Sequence, residues 1–136
     1  MGIRRKGREL ALQALYQIAI TGDESPKAIE SFLGHFQGDP QAKEFAHRLI
    51  SGVLAHQERI DWLISGAAEN WKLTRMARVD LTILRLASYE MLFCPDIPLN
   101  VSMDEAIEIS KRYGSEDSAT FINGVLDQVA AAGGVK

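Results

Sequence analysis

The sequence predicts an all-α protein of seven helices. Three observations carry that expectation. Apolar residues recur at helical spacing along almost the whole chain, and no stretch keeps the two-residue period of a strand. Ser-Pro, Asp-Pro and Gly signals fall between the periodic segments at short intervals. The chain of 136 residues has the length of one domain, and hydrophobic residues at 46% are enough to build a core.

The elements follow in order. Ala11, Ala14, Leu15 and Ile18 form the apolar stripe of a first helix, which Thr21-Gly22-Asp23 ends. Ser25-Pro26 starts a second, with Ser as N-cap and Pro at the first helical position. Ile29, Phe32, Leu33 and Phe36 face inward, and Gly38 closes it. Asp39-Pro40 repeats the start signal for a third helix, whose face is Phe45, Leu49 and Val53. The polar run His56-Gln57-Glu58 interrupts the pattern and separates this helix from a fourth. Ile60, Leu63, Ile64, Ala67, Ala68 and Trp71 are the stripe of that fourth helix. Residues 77–94 are apolar around most of the helix circumference, as befits a central helix buried among others. Pro95 and Pro98 then turn the chain. Ser102, with Glu105 three residues on, reads as a capping box opening a sixth helix, and Gly114 suits its C′ position. Ser115-Glu116-Asp117-Ser118 begins the seventh, with Ile122, Val125, Leu126 and Val129 inward. No repeat or linker interrupts the series, so residues 1–136 read as a single domain.

Composition narrows the function. No apolar run approaches the roughly 20 residues of a membrane span, and residues 1–22 lack the solid apolar block of a signal peptide. Cys94 is the only cysteine, which fits a reducing cytoplasmic compartment. The chain has no Gly-rich phosphate loop, no paired cysteines, no His-Glu-x-x-His and no Gly-x-Ser-x-Gly. Of His35, His47 and His56, the last two are nine residues apart and do not share a helical face. Binding without catalysis, cofactor or metal is the expectation.

Charge points to the ligand. The net charge is −3, unevenly spread: residues 1–22 hold four basic residues and one acid, a net of +3, while residues 23–136 carry −6. The basic residues are Arg4, Arg5, Lys6 and Arg8. Gly7 weakens a first helical turn by about 1 kcal/mol relative to Ala, so residues 1–8 read as a basic, partly flexible arm. Were they helical, Arg5, Arg8, Leu12 and Tyr16 would share a flank and Arg4 would lie over the apolar face. A basic arm can order on an RNA backbone, and Tyr16 could stack on an unpaired base. The plainer reading is a solubilising terminus and a tyrosine at the core edge.

These residues carry a resemblance. Residues 4–16, Arg-Arg-Lys-Gly-Arg-Glu-Leu-Ala-Leu-Gln-Ala-Leu-Tyr, resemble the opening of the NusB antitermination family. Residues 78–91 resemble its central helix, and 104–114 and 115–127 its last two. The closing Phe121-Ile122-Asn123-Gly124-Val125-Leu126-Asp127 is the most specific of these segments. The resemblance implies two packed three-helix bundles with one extra helix. It further implies binding to the boxA element of ribosomal RNA leaders, as a heterodimer with the ribosomal protein NusE. That pair would join other Nus factors on RNA polymerase in the bacterial cytoplasm and suppress premature termination, with no cofactor. Carried over by position, Arg4, Arg5, Lys6 and Arg8 form the RNA site with Tyr16 nearby, and Asp80, Asp117 and Phe121 lie on or beside it. For these last three the residues themselves leave alternatives open: Phe121 as core, Asp117 as N-cap, Asp80 paired with Arg78 or another arginine. Gly7 and a tail bearing only Lys136 depart from the family pattern.

Two other readings follow from the same likeness. One is a homodimeric helical scaffold with an occluded RNA site. The other is the N-terminal part of a ribosomal RNA methyltransferase, whose cofactor-binding half this chain does not contain.

Overall fold

The computed structural model describes residues 2–69 and 71–135. Lys136, the basic residue of the expected tail, lies outside them. Among the described residues six α-helices form: α1 Ile3–Thr21, α2 Pro26–Gly34, α3 Pro40–Ala67, α4 Arg78–Phe93, α5 Leu99–Tyr113 and α6 Ser118–Ala132, with a 3-10 turn at Leu73–Arg75. The described residues contain no strand. None of these helices is long and apolar enough to cross a membrane.

The expected count of seven is corrected to six. His56-Gln57-Glu58 does not break the chain, and α3 runs through it for 28 residues. Polarity alone does not end a helix; a backbone that cannot continue does, and this run holds neither Gly nor Pro. His56 also stacks flat on Phe93 of α4, centroids 4.0 Å apart and planes 15° from parallel. Asp61 on the same helix takes a two-pronged ion pair from Arg85, at 2.8 and 2.9 Å. The helix stops at Ala67, so Trp71 leaves the expected stripe and is 53% exposed.

The chain divides into two compact units, Met1–Ala55 and His56–Lys136. In the first, α1 packs on α2. Ser25 caps α2 by accepting from the Ala28 N–H at 3.1 Å, ahead of Pro26, as the sequence predicts. Asp39 likewise accepts from the Gln41 N–H at 2.8 Å at the start of α3. In the second unit α4, α5 and α6 each pack on the other two. The buried length of α4 explains its nearly all-round apolar pattern, with Ile83, Leu84, Leu86, Ala87 and Met91 all buried.

The capping box is also corrected. Pro98 takes the N-cap position of α5, one turn earlier than expected, and its carbonyl accepts from the Val101 and Ser102 N–H groups at 3.0 and 3.2 Å, which draws Ser102 into the helix. Ser102 thus falls inside the helix, fully buried, and donates its hydroxyl to the buried Glu90 carboxylate of α4 at 3.1 Å.

Candidate nucleic-acid interface

In the first unit, α1 begins at Ile3, so the residues expected as an arm lie in its first two turns. The obstacle to that helix was Gly7, and its neighbours give the reason for the glycine. A Cβ there would stand 2.8 Å from Phe45 Cδ2 and 2.9 Å from the Ala42 carbonyl oxygen. α1 and α3 approach too closely at this point for any side chain.

Phe45 organises the cations. The guanidinium carbons of Arg4, Arg8 and Arg48 lie 5.1, 5.5 and 6.0 Å from its ring centroid. Each is within cation–π range, worth about 0.5–2 kcal/mol according to desolvation. Arg4 therefore lies over the apolar face, as helical geometry requires, and the ring makes that position favourable. Arg4 and Lys6 are exposed and Arg5 half-buried. Arg8 is 3% exposed. The flank of Arg5, Arg8, Leu12 and Tyr16 is thus no open ribbon: Leu12 is buried beside Arg8, and Tyr16 is half-buried. α1 is buried nearly all round from Gly7 to Leu12, which its narrow apolar stripe did not announce.

In the second unit, Asp80, Asp117 and Phe121 come together around one recess of about 270 Å³. Asp80 sits in the first turn of α4, where a negative charge suits the helix dipole. It is buried and accepts the Ser118 hydroxyl hydrogen at 2.7 Å. Ser118 Oγ in turn accepts from the Ser115 N–H at 2.9 Å, tying the α5–α6 turn to α4. Gly114 permits the tight turn: a Cβ there would stand 2.5 Å from Ser118 Oγ and 2.8 Å from the Ser110 carbonyl oxygen. Its backbone is extended, at φ −94°, not left-handed. Asp117 holds the N-cap position of α6 without a capping hydrogen bond from its side chain. Its carboxylate is exposed at the recess. Phe121 is half-buried and meets Trp71 edge-on, centroids 6.2 Å apart and planes at 71°.

Sequence reasoning missed four residues of these two places: Phe45, Arg48, Trp71 and Arg75. Phe45 and Trp71 were absorbed into apolar stripes. Arg48 stands three residues after Phe45, a spacing that puts both on one helix face, and this was the available signal. Among the described residues no group of three or more His, Cys, Asp or Glu could hold a metal.

Cations gather on a buried ring in the first unit, and in the second a recess is edged by two aromatic rings and two carboxylates. The NusB family model matches residues 5–131. The transcription antitermination protein NusB of Geobacter sulfurreducens is 51% identical over 132 residues, 96% of each chain. That of Myxococcus xanthus is 46% identical over 136 residues, 97% of each chain. A crystal form of T. maritima NusB superposes with a TM-score of 0.85 at 44% identity, covering 94% of this chain and 90% of that one. A chain from a crystal structure of the antitermination factors NusB and NusE with dsRNA shares the fold, with a TM-score of 0.84 at 24% identity and coverage of 97% and 98%. The chain belongs to the NusB family.

Proposed function

We propose that this chain binds boxA-type ribosomal RNA leader sequence as a heterodimer with NusE and so supports processive transcription of ribosomal RNA in the bacterial cytoplasm. Relatives at 43–51% identity are named for transcription antitermination, a role without a catalysed reaction. The observation that carries the reading is the cation cluster on Phe45, which brings basic residues of two helices to one place. Residues 1–136 act as one domain, each unit supplying its own contacts. The mutual packing of α4, α5 and α6 supports a three-helix bundle in the second unit, one of the two bundles in the expected arrangement.

Arg4, Arg5, Lys6 and Arg48 supply the phosphate contacts, and the buried Arg8 completes the platform that orients Arg4. Four contacts to single-stranded RNA give a log–log salt slope of roughly −3. The test titrates a fluorescent boxA-type RNA with the protein, with and without NusE, at several salt concentrations. The expected result is tighter binding with NusE, weaker binding to a scrambled RNA, and loss of binding on replacing Arg4, Arg5 and Lys6 together by Ala with circular dichroism unchanged. Undiminished binding by that folded triple variant would sink the reading.

A further inference from the structure

In the first unit, the C-terminal half of α1, the turn after it and α2 enclose a groove lined by none of the residues assigned to RNA. We propose that this groove binds an alkylguanidinium cation, with the Asp23 carboxylate pairing with the charge and the Phe32 and Phe36 rings flanking it. Such a site is independent of RNA binding.

Small residues open the space. α1 brings Ala14 and α2 brings Ala28 to the groove, so the two helices meet without filling it. The main recess is about 500 Å³, within the size range of small-molecule sites. A narrower one of about 120 Å³ shares Asp23 and Phe32 with it and runs on to Ile18 and Ile29. Phe32 on α2 and Phe36 just beyond it line one wall, ring centroids 5.0 Å apart and planes inclined at 49°. Both are half-buried, so each keeps part of its ring surface open.

The polar edge is made of acceptors. Asp23 stands exposed at the recess. The Ser25 hydroxyl and then the Ser25 N–H, the latter at 3.1 Å, donate to its carboxylate and hold it below the usual carboxylate range. It is therefore an anion at neutral pH, able to accept and not to donate. The His35 Nδ1–H donates to the Ser31 carbonyl at 3.0 Å, which leaves Nε2 of the neutral ring as an acceptor. Gln17 adds an amide oxygen. The described lining holds no lysine or arginine, so the groove favours a cation and offers an anion no partner. Shape then chooses the cation. A guanidinium is planar, weakly hydrated, carries its donors in a fixed fork and stacks on aromatic rings, whereas an ammonium is a compact, strongly hydrated point charge. A flat cation against the two rings presents its fork to Asp23 and His35, and its alkyl stem follows the narrower recess toward Ile18 and Ile29.

The test titrates the full isotope-labelled chain with butylguanidinium chloride and with butylammonium chloride, which share a stem and differ in head group, and follows amide chemical shifts. Butylguanidinium is expected to shift amides of residues 17–36 with half-saturation at roughly 1 mM, reasonable for a fragment of this size. Butylammonium should bind about three-fold more weakly, for want of a planar face to stack. Asp23→Asn should weaken butylguanidinium by about three-fold, the scale of an exposed ion pair. Phe32→Leu should cost about as much, roughly three-fold for an exposed cation–π contact, and Phe32→Tyr should restore it. The amide spectrum outside the groove reports that each variant is folded. A blocked residue, acetylarginine methylamide, separates the two sources of the group. Binding equal to that of butylguanidinium assigns the site to an arginine side chain of a protein partner, and exclusion assigns it to a free guanidino compound. No shift with either cation, equal binding of the two, shifts scattered beyond residues 17–36, or unchanged binding by Asp23→Asn overturns the site. RNA binding by Asp23→Asn is expected to match the wild type in every case, so the failure of one reading leaves the other standing.

Discussion

Gly7 is where residue-level reasoning and structure diverge most usefully. Helix propensity marks it as a weak point, and by that criterion Ala would stabilise α1 by about 1 kcal/mol. The close approach of Phe45 and the Ala42 carbonyl reverses the sign. A ring can swing, but a backbone carbonyl within α3 cannot. Gly7→Ala is therefore expected to destabilise the protein by about 1–3 kcal/mol, in the range of overpacked cores. Thermal denaturation decides the matter, since a raised melting temperature would mean that propensity outweighs contact. Arg8 shows the same lesson in charge. As part of a basic run it reads as an exposed cation, yet it is 3% exposed with its guanidinium 5.5 Å from the Phe45 ring centroid. A one-dimensional pattern records which residues are basic. Which of them end up beneath another helix depends on a partner far along the chain, here Phe45 of α3.

At the level of elements, helix starts were legible wherever chain chemistry is local. Ser25-Pro26 and Asp39-Pro40 open α2 and α3 as expected, and the central helix was placed within one residue at each end. The errors lie where tertiary contacts decide. Ser102 satisfied a capping rule and instead donates to Glu90 inside the packing of α4 and α5. The polar run at 56–58 looked like a loop because its role is to face Phe93 and solvent, not to stop the helix. Gln57→Pro separates the two views. A loop would tolerate it, whereas the interior of a continuous helix loses about 3 kcal/mol or more. We expect a clear loss of helical circular dichroism on warming and a markedly lower melting temperature. A variant with wild-type stability would contradict a continuous α3.

For the molecule as a whole, charge distribution matters more than its total of −3. An acidic body slows the approach of a polyanion even when the contact residues are basic. Asp104 and Glu116 are exposed, so Asp104→Asn with Glu116→Gln should raise the RNA association rate at about 0.01 M salt, where the Debye length is roughly 30 Å. The gain should vanish near 0.15 M, where it is about 8 Å. Stopped-flow mixing across that range checks it, and a gain that persists at high salt would point to a direct contact instead. The family likeness along the chain was readable from sequence because its motifs lie in helices α1, α4, α5 and α6. The recess was only half readable: Asp80, Asp117 and Phe121 came with the likeness, while Trp71 and Arg75 lie between α3 and α4, Arg75 in the short 3-10 turn, where no α-helical periodicity marks them.

The ring of Phe45 has a further consequence for genetics. On the proposed RNA-binding role, a selection for loss of that role would return changes at Phe45 and Gly7 alongside changes at Arg4, although neither of the first two is exposed. Phenotype alone would then draw the functional surface too deep, through side chains that no RNA reaches. A map of such mutants needs sorting by solvent exposure before it is read as a footprint.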